Sequence, residues 1–352
     1  MATVPIDVPG ALQRPAPAKE RRAVAAWLLA CCVLVFAMVV VGGVTRLTHS
    51  GLSIVEWQPL VGTIPPLTES AWEQTFARYR ETPEFRLVNH DMTLEAFKGI
   101  FWWEYFHRLL GRLIGVAFFV PFAVFLARRR IDFALAGRLF AIFLLGGLQG
   151  ALGWYMVKSG LVDDPRVSQF RLTAHLGLAL VIFAAMLWVA LGLLLPRATG
   201  IRPALRRGSA ALAGLVLAMA LSGGMVAGIR AGFAYNTFPL MNGSWIAPEI
   251  LMLEPWYLNF GYNMATVQFV HRALALVLAL AAPLAWFAVR RDPAATPAVR
   301  WAAHALLVAL AIQIALGIAT LLLAVPVSLA AAHQAGAVLV FSAAIALRRA
   351  MS

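Results

Sequence analysis

Four histidines in this chain of 352 residues have the placement of metal ligands. His107, His175, His271 and His333 each fall inside a long apolar run. Imidazole is a poor choice for lipid contact, so an intramembrane histidine marks a functional site by default. The numbering pairs them. His107-Arg108 returns as His271-Arg272 at an offset of 164 residues, and Gln149-Gly150-Ala151-Leu152-Gly153 returns as Gln313-Ile314-Ala315-Leu316-Gly317 at the same offset. His175 and His333 lie 158 residues apart, the shortfall being absorbed by a loop six residues shorter. A histidine hydrogen-bonded to a neighbouring backbone or hydroxyl is the plainer reading of any single one, but a duplicated set of four points to ligands. Paired histidines across a bundle core present one neutral ring nitrogen to each axial face of a haem iron. A zinc or di-iron centre is disfavoured, because too few Glu, Asp or Cys accompany the histidines.

The neighbours of these histidines differ between the two copies. Glu104 lies three residues before His107 and projects from the same helix face, whereas Gln268 takes that place before His271. A buried carboxylate usually has a function, so Glu104 is the candidate catalytic residue, with the N-terminal half the seat of chemistry and the other half an electron store. The alternative is a glutamate that reaches water or pairs with Arg108. Arg108 and Arg272 either pair with carboxylate groups of a bound macrocycle or snorkel to water. Gly111, Gly115, Gly177 and Gly336 would let a flat plate slide between helices. His49, His90 and His304 have no repeat partner and read as loop or core histidines.

The elements that must position these residues are membrane helices. The chain is 61% apolar and 13% charged with mean hydropathy +0.79, against about 25% charged in soluble domains, which excludes a water-soluble globule. Eight apolar runs, approximately 23–44, 99–127, 134–157, 170–195, 208–229, 264–289, 299–323 and 328–347, are each long enough to span. Basic clusters at Arg14 to Arg22, Arg128 to Arg130, Arg197 to Arg207, Arg290-Arg291 and Arg348-Arg349 all fall on one side. By the positive-inside bias that side is the cytoplasm and holds both termini. The net charge of +13 is therefore dispersed, which argues against a nucleic-acid partner. Residues 1–22 read as a disordered cytoplasmic tail, and the first run is too long for a removed signal peptide. Cys31 and Cys32 are adjacent inside that run, so no loop disulfide is available.

The fold class expected is all-α integral membrane, with eight transmembrane helices as two tandem-duplicated four-helix bundles, 23–195 and 208–347, related by an axis along the membrane normal. Two long outer loops, 45–98 and 230–263, carry Trp57, Pro59, Pro65, Pro66 and Trp72, and Trp245, Pro248, Pro255 and Trp256. They read either as a lid over the site or as an interfacial aromatic belt.

Thr45-Arg46-Leu47-Thr48-His49-Ser50-Gly51-Leu52-Ser53, Glu56-Trp57-Gln58-Pro59 and Gly62-Thr63-Ile64-Pro65-Pro66 resemble the first-loop signature of haem A synthases. So do Glu104-Tyr105-Phe106-His107-Arg108, Asn236-Thr237-Phe238-Pro239-Leu240-Met241, Phe269-Val270-His271-Arg272 and Ala332-His333-Gln334. The resemblance runs from about residue 25 to 347. It implies oxidation of a peripheral methyl group of haem O to a formyl group, making haem A for terminal oxidases in the bacterial cytoplasmic membrane. It further implies haem b held by His271 and His333 as electron carrier, substrate haem held by His107 and His175, and Glu104 near the reacting edge. An electron donor of unknown identity, haem O synthase, oxidase assembly factors and a second copy of the chain are the partners it admits. One branch of that family has a loop cysteine pair; this chain lacks it, like the mitochondrial and related proteobacterial branch. The residues alone also permit a non-catalytic dihaem electron-transfer subunit of the membrane cytochrome b type, and a cofactor-free transporter using the histidines as a proton path. Glu104 in one half only, and the long outer loops, favour the enzyme.

Overall fold

The computed structural model describes residues 18–56, 61–161, 165–196 and 198–352. Among the described residues, eight helices are long and apolar enough to cross a membrane: α1 (Ala18–Leu47), α4 (Leu94–Ala127), α5 (Phe133–Lys158), α6 (Gln169–Leu194), α7 (Pro203–Gly228), α9 (Met264–Arg290), α10 (Pro297–Leu322) and α11 (Val327–Ala350). Short helices α2 (Glu69–Arg80), α3 (Pro83–Leu87) and α8 (Asn259–Tyr262) lie in the loops. Among the described residues there is no β-sheet. Side-chain caps fix where several helices begin: Thr93, Asp132, Asn263 and Thr296 each accept a backbone N–H of the first turn of α4, α5, α9 and α10.

The helices form two rings of four. In the first, α1 packs on α4 and α6, and α5 packs closely on α6 and sparsely on α4; in the second, α7 packs on α9 and α11, and α10 completes the ring. The rings meet along α1–α11, α6–α7 and α6–α11. A two-fold axis exchanging α1 with α7 and α6 with α11 turns the first contact into the second, as a parallel duplication requires. Lipid provides no hydrophobic drive between spans, so such seams depend on small residues and interhelical hydrogen bonds. Gly43 faces the Gln334 side chain, whose Nε2 donates to Val39 O at 2.8 Å. Gly224 packs on Thr173, where a Cβ would come within 3.0 Å of the Thr173 hydroxyl.

The starts of α1 and α4 differ from the sequence reading. α1 starts at Ala18, so residues 18–22, expected in the tail, are helical, while 1–17 lie outside the described residues. α4 starts at Leu94 rather than 99, because its first turns leave the apolar run and join the outer loop. There Phe97, Phe101, Tyr105 and Tyr79 form a second core with Trp72, Phe76 and Phe85 packed against it. Trp72 meets Phe101 edge-on at 4.8 Å, so this tryptophan belongs to the folded outer cluster. Trp57, Gln58, Pro59 and Arg197 fall outside the described residues. Trp245 and Trp256 are 74% and 63% exposed, as a belt would have them. The two cysteines are unpaired and buried in α1.

Candidate functional site

A cavity of about 1560 Å³ opens between the two rings and is lined by all four histidines, Glu104, Arg108 and Arg272. Pockets for one drug-sized ligand are about 300–1,000 Å³. Within it the histidines stand as two pairs: His107 and His175 are close enough to interact electrostatically, as are His271 and His333.

Each imidazole sits against a glycine of the preceding span. A Cβ on Gly42 would lie 3.0 Å from His107 Nε2, and one on Gly153 2.9 Å from His175 Cε1. In the second ring a Cβ on Gly223 would lie 3.4 Å from His271 Cε1, and one on Gly317 2.8 Å from His333 Cε1. Alanine would press on the rings at three of these four places. The glycines expected to make room were different ones. Gly111 and Gly115 do line the cavity, but Gly177, two residues past His175 and so turned roughly 200° from it, packs on Leu221. Gly336 seats Gln313.

The repeated glutamines hold the backbone of the ligand helices: Gln149 Nε2 donates to His175 O at 3.0 Å and Gln313 Nε2 to His333 O at 2.8 Å. Ser222 Oγ is 2.8 Å from His271 Nδ1, a contact that fixes the ring and leaves Nε2 as the nitrogen to offer a metal. Nδ1 of His175 and of His333 is buried without a hydrogen-bond partner. Unpartnered ring nitrogens beside glycines that admit the rings fit a haem, whose iron these imidazoles would hold. No cluster of three or more His, Cys, Asp or Glu occurs among the described residues.

Glu104 is 2% exposed and its carboxylate is fully bonded. Oε2 accepts from Ser53 Oγ and from the Ile54 N–H, both at 2.8 Å, and Oε1 accepts from Arg108 Nε at 3.0 Å and an Arg108 terminal nitrogen at 2.6 Å. Arg108 also donates to Ile54 O and Glu56 O. The pair therefore clamps residues 53–56 over the cavity mouth. Gln268, 3% exposed, donates to Ala231 O and Ala234 O and accepts from Arg272. Arg272 donates in turn to the carbonyls of Tyr235, Thr237, Pro239 and Leu240. Both arginines thus spend their terminal nitrogens largely on loop carbonyls, a use that neither macrocycle pairing nor snorkelling anticipated, while Arg108 Nε goes to Glu104 and Arg272 Nε is buried without a partner.

His90 forms an exposed pair with Asp91 and His304 accepts from Trp286, as expected of loop and core histidines. His49 is different: it lines the cavity mouth and meets Arg230 at 3.1 Å. Burial first, then Arg230 and Arg46, hold it below its ordinary 6.5. Gly42-Gly43 and Gly223-Gly224 repeat at an offset of 181 residues, not 164, because the first outer loop is longer; a search at one offset passes over them.

A family profile described as cytochrome oxidase assembly protein matches residues 25–345. The chain is 61% identical over 330 residues to a haem A synthase of Nitrosospira multiformis, covering 92% of each protein. It is 57% identical over 334 residues to the haem A synthase of Nitrosomonas eutropha, covering 94% of each. To that of Parvibaculum lavamentivorans it is 50% identical over 326 residues, covering 93% of each. Eight spans, duplicated histidine pairs and this similarity along nearly the whole chain together establish that it belongs to the haem A synthase family of cytochrome oxidase assembly proteins.

Proposed function

We propose that this chain oxidises a peripheral methyl group of haem O to a formyl group, producing haem A for terminal oxidases. The observation that carries the reading is one cavity with two histidine pairs, only the first of which has a carboxylate beside it. The N-terminal ring takes the substrate: His107 and His175 bind its iron, and Gly42 and Gly153 leave room for both rings. Glu104 holds a negative charge at the edge of that site, where it can stabilise positive charge developing on an oxidised substituent. Through Arg108 it also keeps the loop 53–56 closed against water. His271 and His333 would hold a haem b in the C-terminal ring, where it would supply one-electron carriage. Ser222, Gln313 and Gly317 set that pair's orientation.

The basic clusters orient the protein in the bacterial cytoplasmic membrane with both termini inside, so the two clamped loops face outward. The electron donor, haem O synthase, oxidase assembly factors and a second copy of the chain are the partners this role would bring. Extraction of haems from the purified protein tests the reading: haem B together with haem O or haem A is expected, and haem B alone would reduce the chain to an electron relay.

A further inference from the structure

Above the histidines, at the outer mouth of the cavity, three basic side chains from the two halves meet. Arg46 closes α1, His49 follows it, and Arg230 follows α7; all three line the cavity. Their contacts cross the seam reciprocally. A terminal nitrogen of Arg46 donates to Ala227 O at 3.1 Å and Gly228 O at 3.4 Å, and one of Arg230 lies 3.1 Å from His49 Nδ1. Arg46 stands one helical turn, about 6 Å, beyond Gly42, the residue against which His107 packs. Arg230 comes seven residues after Gly223, the residue against which His271 packs. Each arginine therefore rises from the histidine level toward the outer surface.

Among the described residues, the acid that acts on this cluster is Glu84. Arg46 and Arg230 are in electrostatic reach of each other and of Glu84. That acid is buried under the first loop and accepts from the Tyr79 hydroxyl. Burial pushes its carboxyl up to about 7, so it offsets only part of two guanidinium charges. Arg46 Nε is buried without a partner, unlike the donors that Arg108 spends on the first loop. Buried cationic donors left unsatisfied are costly until an anion completes them, and guanidinium groups match carboxylates in geometry.

We infer that Arg46, Arg230 and His49 form a carboxylate cradle that takes the peripheral carboxylates of the macrocycle held by the histidines below. The inference rests on the haem reading of the cavity and adds to it the residues that select the acidic edge of the ligand. A merely structural role, bracing one half against the other, would leave binding indifferent to those carboxylates.

The test uses full-length protein in detergent, produced in haem-limited cells and titrated with protohaem or with protohaem dimethyl ester while the Soret band is followed. Wild type should bind the diacid more tightly than the diester. Arg230→Asn, which suits the left-handed backbone there (φ 57°), and Arg46→Gln should each weaken diacid binding ~10–100-fold and leave the diester unchanged. Should Arg46→Gln not fold, the Arg46→Lys/Arg230→Lys double variant keeps the charge and should retain the diacid preference. Equal binding of diacid and diester by wild type, or equal weakening of both by the variants, overturns the cradle alone. A wild type that binds neither form overturns the haem reading with it.

Discussion

Glu104 and Gln268 occupy the same position in the two halves, 164 residues apart, and each grips the arginine four residues on. The loops they hold present opposite groups. Glu104 accepts from a hydroxyl and an N–H of the first loop, whereas Gln268 donates to two carbonyls of the second. An amide serves the second loop because it can donate. The first loop offers donors and needs a carboxylate.

Glu104→Gln therefore changes more than charge. The amide nitrogen would confront either Arg108 or the Ile54 N–H, losing at least one bonded partner at about 1–3 kcal/mol. Faster amide exchange at Ile54 is expected, together with retained binding at both histidine pairs and accumulation of haem O or a hydroxylated intermediate. Chromatography of extracted haems reads the second part; normal haem A output at normal protein level would remove Glu104 from the mechanism.

On the proposed assignment, replacing His271 or His333 by alanine should abolish haem b binding, because each would supply one of the pair's two bonds to the iron and its ring packs against Gly223 or Gly317. The reduced-minus-oxidised spectrum should lose the haem b bands in either variant while haem O remains extractable with the protein. Unchanged spectra in both single variants would sink the assignment.

Eight spans and the histidine pairs were legible because lipid demands long apolar helices and because duplication writes His107-Arg108 twice. Other parts were illegible for physical reasons. Gly42 and Gly223 face histidines on another helix, and close approach between helices leaves no periodic trace within either one. The outer aromatic subdomain was missed because Phe97 and Phe101 precede or open the apolar run and look like its continuation, although they pack on Tyr79. Arg108's pairing with Glu104 is one of the readings the sequence offers, but the arginines' other partners are mostly backbone carbonyls, which every residue carries and no side-chain pattern announces.

Glu84 gives the first loop a pH dependence. Its carboxyl is raised from 4.5 to about 7, burial being the largest cause, so the folded loop binds a proton that the unfolded chain releases at lower pH. Stability from this group is present in full below about 4.5 and is lost as pH rises through about 7. Glu84→Gln should accordingly flatten the fall in thermal stability between pH 5 and 8, by roughly 3 kcal/mol at most. A midpoint in detergent that falls as steeply in the variant as in wild type would contradict this.

The rings differ in how tightly their middle seams close, and Gly150→Ile exploits the difference. α4 and α5 touch sparsely, and Gly115, Gly146, Gly147 and Gly150 have nothing within 4 Å of where a Cβ would stand. At the 164-residue offset the second ring has Ala279, Leu310, Ala311 and Ile314 in those places, and α9 and α10 pack more closely. Isoleucine at 150 copies the second ring into the first. The helix should gain, since glycine costs about 1 kcal/mol in a helix interior relative to the best formers, so folding should hold. The side chain would project into the cavity that Gly150 lines and take room from a ligand at His107 and His175. The expected result is an unchanged haem B content with sharply reduced haem O and haem A, read by extraction and chromatography beside a thermal midpoint no lower than wild type. Wild-type haem A content in Gly150→Ile would show that the space beside α5 is not used by the substrate.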